Sequence, residues 1–421
     1  MNRPLIDGTL LLERIGELAS IGILPSGGVT RDSFSGTFVA GRELLTKWFT
    51  DAGLEVSVDA AGNLLGRLAG AKQSPVLMIG SHLDTVTNGG ALDGAYGILG
   101  GLSALGALKE AGVLLDHPVV LAAFVNEEGA RGTPAMTGSR AIVGDLTPND
   151  LEIRDNNGRT VADLITDIGG EPQYLAEAAW LPGSIAAYLE LHVEQGPVLE
   201  QMKKTIGVVT AITGRALVDL VVTGKALHAG TTPMKGRSDA LVAAARLVLA
   251  IESLGDNEVR VATTGTIHVE PASRNTIPGR VVLCSELRDD ETRRILQAIR
   301  ILEEFAQQLE ESSGVSVAVT VVDVVGPCPT SSELQQCIAV AAIENDAPSM
   351  QLLSGAGHDA QSFHGYCPIG MLFVPSVGGV SHAPDEATDP EDLIRGATVL
   401  AQTLVLTDRH FSVPTSATST R

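Results

Sequence analysis

The sequence predicts an α/β fold with a mostly parallel sheet and a smaller inserted domain, on three observations. Residues 76–80, 119–125, 186–191 and 371–374 are short continuous apolar runs rather than alternating ones, as expected of strands buried on both faces. Helical patterns lie between these runs. Residues 207–325 then take up a different rhythm, in a β-α-β-β-α-β order, before the first pattern returns.

Taken along the chain, residues 41–52 place Leu44, Leu45, Trp48, Phe49 and Ala52 on one helical face. The apolar stretch 95–108 contains four glycines and falls short of a membrane span. Within the inserted segment, 217–222 reads as a strand and 239–254 as a helix rich in Ala, Leu and Val. Residues 259–269 and 280–287 read as a strand pair, and 315–325 as the closing strand. The helix between them, 293–311, aligns Ile295, Leu296, Ile299, Leu302, Phe305, Ala306 and Leu309 on one stripe. This is the order of a ferredoxin-like βαββαβ unit. The expected division is therefore a main domain of 1–206 and 326–421 with 207–325 inserted. The α/β pattern ends near Leu406, and the Ser/Thr-rich tail 410–421 is expected to fray.

Composition narrows the function classes. The chain has 421 residues, 50 acidic and 29 basic, for a formal net charge of −21. At about 150 residues per domain this suggests two or three domains. A surplus of acid argues against a nucleic-acid partner and against anionic membrane surfaces. Small anionic substrates would need a local basic group to receive them. Cys284, Cys328, Cys337 and Cys367 form no CxxC pair, which fits a reduced, cytoplasmic protein. The first twenty residues lack the charged-then-apolar pattern of a secretory signal.

Chemistry collects where the buried strands end. The first runs into Ser81-His82-Leu83-Asp84, the second into Asn126-Glu127-Glu128-Gly129, the third into His192-Val193-Glu194. After the fourth comes a Gly-rich loop ending in Ser381-His382-Ala383. Ligands of open α/β sheets bind outside the carboxyl ends of the strands. Any one of these residues alone is an ordinary loop or turn residue. Together they bring three imidazoles and several carboxylates to one sheet edge, a ligand set suited to zinc, manganese or cobalt. Asp93, in the small-residue loop 89–94, has two oxygens and can bridge two ions. Glu127 and Glu128 offer one metal ligand and one general base. Asp84, two residues after His82, is placed to orient that imidazole. Rival chemistries lack their signatures: there is no GxxxxGK[ST], no GxGxxG after a strand and no HExxH. Residues 379–383 miss the final Gly of a nucleophile elbow, and Cys367 precedes its strand at the wrong end.

The segments GSHLDTV (80–86), GGALDGAYG (89–97), NEEGAR (126–131), LHVEQGPVLE (191–200), ALHAGTTPM (226–234), SGAGHDA (354–360) and GGVSHAPDE (378–386) resemble the dinuclear-metal amidohydrolases. Among these, they are similar to the amidase/hydantoinase/carbamoylase branch: N-carbamoyl-L-amino acid hydrolases, allantoate amidohydrolases and β-ureidopropionase. The resemblance implies a metallohydrolase domain holding two divalent ions per subunit, Zn²⁺ or Mn²⁺/Co²⁺. His82, Asp93 and His192 would hold one ion, and Asp93, Glu128 and His382 the other. Glu127 would be the general base, and Asp84, as the residue that orients His82, is read as catalytic beside it. His228 would donate to the scissile carbonyl. Gln195, Asn275, Arg288 and the backbone at Gly357 would hold the substrate carboxylate. His358 and Asp359 would only support the site.

The inserted domain would serve as lid and dimerisation domain of a cytoplasmic homodimer. The implied reaction is hydrolysis of a ureido C–N bond in a small carboxylate-bearing substrate, an N-carbamoyl-L-amino acid or allantoate. The rival reading within the superfamily is an aminoacylase or dipeptidase acting on N-acyl-amino acids; a silent scaffold is a further rival. The chain departs from the family at Arg215-Ala216-Leu217 and at Gly132 after Arg131, both where recognition of the substrate side chain is expected.

Overall fold

The computed structural model describes residues 4–412. Of the tail expected to fray, His410–Ser412 instead end a helix, and 413–421 lie outside the described residues. The chain forms two compact units, one reaching to Thr210 and resuming at Pro329, the other Ala211–Cys328.

The first unit opens with α1 (Gly8–Ser20), α2 (Gly36–Asp51), β1 (Glu55–Val58), β2 (Leu64–Leu68), β3 (Val76–His82), α3 (Ala95–Glu110) and β4 (Val119–Phe124). Short helices α4 (Thr137–Val143), α5 (Pro148–Glu152), α6 (Val161–Asp167) and α7 (Leu175–Ala178) lead to β5 (Ile185–Val193), α8 (Val198–Met202) and β6 (Ile206–Ile212). The second unit comprises β7 (Gly214–Thr223), α9 (Ala240–Leu254), β8 (Val261–Glu270), β9 (Arg280–Asp289), α10 (Thr292–Ser313) and β10 (Ser316–Val325). The first then finishes with β11 (Cys328–Pro329), α11 (Ser332–Glu344), β12 (Ser349–Ser354), β13 (Ile369–Val374) and α12 (Pro390–Ser412).

The large sheet runs β1-β2-β4-β3-β5-β13-β6-β11, with β12 paired to β6. Its centre, β4-β3-β5-β13, is parallel, while β1, β2 and β6 add antiparallel margins. The four central strands are the four apolar runs, and nearly every residue in them is buried. Because they are parallel, their carboxyl ends share one edge. His82 pairs with Phe124 and His192 with Phe373 at that level.

Helix α3 packs so closely on this edge that no side chain fits at Gly97 in its first turn. A Cβ on Gly97 would lie 2.4 Å from the Leu191 carbonyl and 2.7 Å from the Ser81 Cβ. Gly94, ahead of the helix, has φ +64°, and a Cβ there would lie 2.5 Å from the His82 ring.

In the second unit the sheet order is β10-β7-β9-β8, antiparallel throughout. Burial alternates along β7, with Ala216, Val218, Leu220 and Val222 facing a core completed by α9 and α10. One covered face explains the alternating pattern here, against continuous runs in the first unit. Among the described residues, no helix is long and apolar enough to cross a membrane.

Gly97→Ala should destabilise the fold by about 1–3 kcal/mol through overpacking. At Gly106, on the same helix, a Cβ would meet nothing within 4 Å, so Gly106→Ala should be neutral or stabilising by up to about 1 kcal/mol. Denaturant melts of the two variants check the contrast.

Candidate metal centre

The centre is built on Asp93. Its Oδ1 lies 3.4 Å from Nε2 of His82 and 3.2 Å from Nε2 of His192. Its Oδ2 lies 3.0 Å from Nε2 of His382 and 3.1 Å from Nε2 of Gln195. Glu128 Oε1 stands 3.4 Å from the same His382 nitrogen. Donor atoms therefore gather as His82–Asp93–His192 and as Asp93–Glu128–His382, each set within 4.8 Å, with a further grouping of His82, Glu127 and Glu128.

The protons on the rings test whether this is a metal site. Nδ1 of His82 donates to the Asp84 carbonyl at 2.9 Å, and Nδ1 of His192 to the Val193 carbonyl at 2.8 Å. A neutral imidazole carries one N–H, so both Nε2 atoms turn lone pairs toward Asp93. His192 Nε2 also accepts the Gly94 amide at 3.1 Å, as a lone pair must. Acceptors facing a carboxylate repel each other unless a cation intervenes. The donor set is that of a divalent transition ion, and the residues fit one.

Without such an ion the site stores protons. Burial alone would lower the His82 pKa, but the Asp93 hydrogen bond and the charges of Glu127, Asp93 and Asp84 raise it well above the usual imidazole range. His192 is likewise raised, Asp93 outweighing burial. The Asp93 hydrogen bond is also the main cause at His382. Asp93 is itself held well below the ordinary carboxylate range, since its three imidazole partners outweigh its desolvation. Burial pushes Glu127 well up, and Glu128 to about 7.

The loops that carry these groups are tied to one another. Glu386 Oε1 accepts the Leu92 and Asp93 amides at 2.8 and 3.0 Å, while its Oε2 accepts Ser381 Oγ at 2.8 Å. Asn126, Gln195 and His382 all have left-handed φ, between 55° and 58°, so local backbone strain collects at the site.

One expectation needs correction. Asp84 does not orient His82 through its carboxylate; its backbone carbonyl does. The carboxylate instead accepts the Glu127 and Glu128 amides, both at 3.2 Å, because β4 delivers those amides beside it. Gln195, expected at a substrate carboxylate, lies beside the centre with its amide nitrogen 3.1 Å from Asp93 Oδ2 and 3.3 Å from Ser381 Oγ. Arg131 pairs with Asp155 at 3.2 Å and Asp32 at 3.5 Å, a structural role.

Gly357 lies half-buried beside Met136 and Gln361. The His358 ring stands edge-on to His192 with centroids 4.6 Å apart, and Asp359 accepts Ser139 Oγ at 2.6 Å. In the second unit, the Ala229 amide donates to the Asn275 carbonyl at 2.8 Å, which sets His228 beside Asn275. Ser273 Oγ holds Asn275 Oδ1 at 2.8 Å, leaving the amide nitrogen for an acceptor. Arg288 is paired with Glu286 Oε1 at 2.9 and 2.7 Å, so its fork already has a carboxylate.

Two residues escaped sequence reasoning. One is Glu386, in the polar loop between β13 and α12. The other is Arg31, fully buried, donating to the carbonyls of Leu83 at 2.7 Å and Leu18 at 3.1 Å. Burial lowers the Arg31 pKa to about 10 against the pull of Asp84. Neither has a spacing signal for its distant partners, which are the Leu92 and Asp93 amides for Glu386 and the Leu83 carbonyl for Arg31.

Strand ends that converge imidazoles and carboxylates on a bridging aspartate define a candidate metal-dependent hydrolase. A profile of the peptidase family M20/M25/M40 matches residues 78–405. The chain is 40% identical over 402 residues to an N-carbamoyl-L-amino acid amidohydrolase of Geobacillus stearothermophilus, covering 95% of this chain and 98% of that one. It is 35% identical over 401 residues to an allantoate amidohydrolase of Bacillus subtilis, covering 92% and 94%. The crystal structure of a hydantoinase/carbamoylase-family amidase from Burkholderia multivorans superposes with a TM-score of 0.86 at 36% identity, covering 96% and 98%. The chain belongs to the M20/M25/M40 family and, within it, to the hydantoinase/carbamoylase amidases.

Because the acidic surroundings raise the pKa of all three imidazoles, protons compete with a metal for these ligands at higher pH than they would for a free imidazole. Metal uptake should therefore release protons, and apparent affinity should rise with pH across the neutral range. Calorimetric titration with Zn²⁺ in buffers of different ionisation enthalpy checks the sign.

Proposed function

We propose that this protein hydrolyses the ureido C–N bond of an N-carbamoyl-L-amino acid or an allantoate-like ureide. The observation that carries the reading is the Asp93 carboxylate, each oxygen facing its own imidazole partners. Support comes from the relatives whose names specify N-carbamoyl-L-amino acids and allantoate.

His82, Asp93 and His192 would hold one divalent ion and Asp93, Glu128 and His382 a second, as Zn²⁺, Mn²⁺ or Co²⁺. Such ions supply Lewis acidity and make a bound water more acidic. Glu127, its amide anchored on Asp84, takes the proton of the attacking water and returns it to the leaving nitrogen. The water oxygen bonds to the carbamoyl carbon and the bond to the amino-acid nitrogen breaks. The carbamate released decomposes to ammonia and carbon dioxide. His228 donates a hydrogen bond to the carbonyl oxygen as negative charge grows there.

Asn275 and Arg288 receive the substrate carboxylate, which must compete with Glu286 for the Arg288 fork. In the same reading, residues 211–328 act as lid and dimerisation domain of a cytoplasmic homodimer. The four cysteines, all free thiols, suit a reducing compartment.

The test is ammonia release by metal-reconstituted protein on N-carbamoyl-L-amino acids, N-carbamoyl-β-alanine, allantoate and N-acetyl-amino acids. Turnover of a ureido compound is expected. Activity confined to the acetylated set would replace this reading by an aminoacylase. Glu127→Gln should keep its metal by elemental analysis and lose about 10²–10⁴-fold in turnover; near-normal turnover would remove Glu127 from the base role.

A further inference from the structure

His228 lies in an exposed turn between β7 and α9, outside any helix or strand. Its Nδ1 accepts the amides of Gly230 at 3.1 Å and Thr231 at 3.2 Å. Backbone amides only donate, so Nδ1 carries no hydrogen and the single N–H of the neutral ring sits on Nε2. The turn thereby writes the tautomer: it leaves the outward nitrogen as a donor.

Little else in the local chain would keep such a turn closed. The Thr232 amide and hydroxyl donate to the His228 carbonyl at 3.2 and 2.7 Å. Three further carbonyls are gathered by one side chain. Arg237 Nη2 donates to Ala229 O at 2.8 Å and Thr232 O at 2.6 Å, and its Nε to Thr232 O and Pro233 O, both at 3.2 Å. The planar guanidinium fork suits several acceptors at fixed angles, which an ammonium on a flexible stem does not reproduce. Ala229, one of the three, is also the residue whose amide joins the turn to Asn275.

We infer that Arg237 is a positioning residue for the reaction: by holding the carbonyls of Ala229, Thr232 and Pro233 it fixes the turn whose amides lock His228 as an Nε2–H donor. The inference rests on the reading of His228 as donor to the reacting carbonyl. Loss of Arg237 frees the Ala229, Thr232 and Pro233 carbonyls to solvent and the ring to exchange tautomers. A donor displaced by about an ångström can cost on the order of 100-fold in rate.

The test uses the full-length, metal-loaded protein. Nitrogen-15 spectra of the His228 ring, assigned by comparison with His228→Asn, should show one Nε2–H tautomer in the wild type and a mixture in Arg237→Ala. Turnover of Arg237→Ala should fall about 10- to 100-fold with KM nearly unchanged, Arg237→Lys recovering only part of it. In a His228→Ala background, removing Arg237 should cost nothing further. A wild-type ring protonated on Nδ1, or exchanging between tautomers, overturns the inference even if Arg237→Ala does not fold. So does an Arg237→Ala loss that persists undiminished without His228. If His228→Ala itself leaves turnover intact, the donor role under the proposed function falls, while the ring spectra still decide what Arg237 does.

Discussion

One buried carboxylate, divided between two sets of partners, organises the first unit. Asp93 is almost wholly enclosed, and a buried carboxylate is costly unless positive charge compensates it. Oδ1 meets the imidazoles at the ends of β3 and β5, and Oδ2 meets His382 from the loop after β13. The surrounding backbone is shaped to permit this. Glu386 bonds the Leu92 and Asp93 amides, and a Cβ on Gly90 would lie 2.1 Å from its Oε1. Gly94 and Gly97 bring α3 against the strand ends where any side chain would collide with His82 or Leu191.

The distribution of charge follows from that centre. Asp84, Asp93, Glu127, Glu190 and Asp359 are all buried in the same unit. Donors surround the acids behind the centre: two backbone amides for Asp84, Ser139 for Asp359, and Ser81, Tyr188 and the Ala360 amide for Glu190. Arg31 supplies a buried positive charge behind Asp84. Such an interior attracts a divalent cation and opposes an anionic substrate. Cationic fork groups occur in the second unit, where Arg215 and Arg288 sit directly opposite on β7 and β9. Facing like charges are unfavourable unless paired, and each has an acid beside it, Asp323 and Glu286.

What could be read from the sequence was whatever a strand's own composition encodes. Continuous apolar runs marked β3, β4, β5 and β13, and the polar residues at their ends, His82, Glu127, Glu128 and His192, lie together because parallel strands end on one edge. The amphipathic stripe of α10 was equally legible from its period. The β1 margin was not, since that strand is short and substantially exposed and so lacks a hydrophobic signature. Within the site, identity was legible and atom-level role was not. Asp84 sits two residues after His82, a spacing that suggests a carboxylate–imidazole bond. Which atom makes the bond depends on where β4 places the Glu127 and Glu128 amides, a long-range fact. Glu386, Arg31 and Arg237 act on backbone carbonyls and amides, and side-chain patterns do not record such partners.

The place of β13 in the sheet has a consequence for the newborn chain. It fills the gap between β5 and β6, yet the entire second unit is translated between β5 and β13. At about 5–20 residues per second, β5 waits on the order of ten seconds or more for its neighbour. Throughout that interval a largely apolar strand presents an unpaired edge, with His192 at its tip and no Phe373 opposite. Open edges of this kind template pairing with other chains. Nascent protein is therefore most exposed to aggregation before its last strand leaves the ribosome, and chaperone shielding or sparser loading of polysomes at that stage would govern its yield more than the stability of the finished fold.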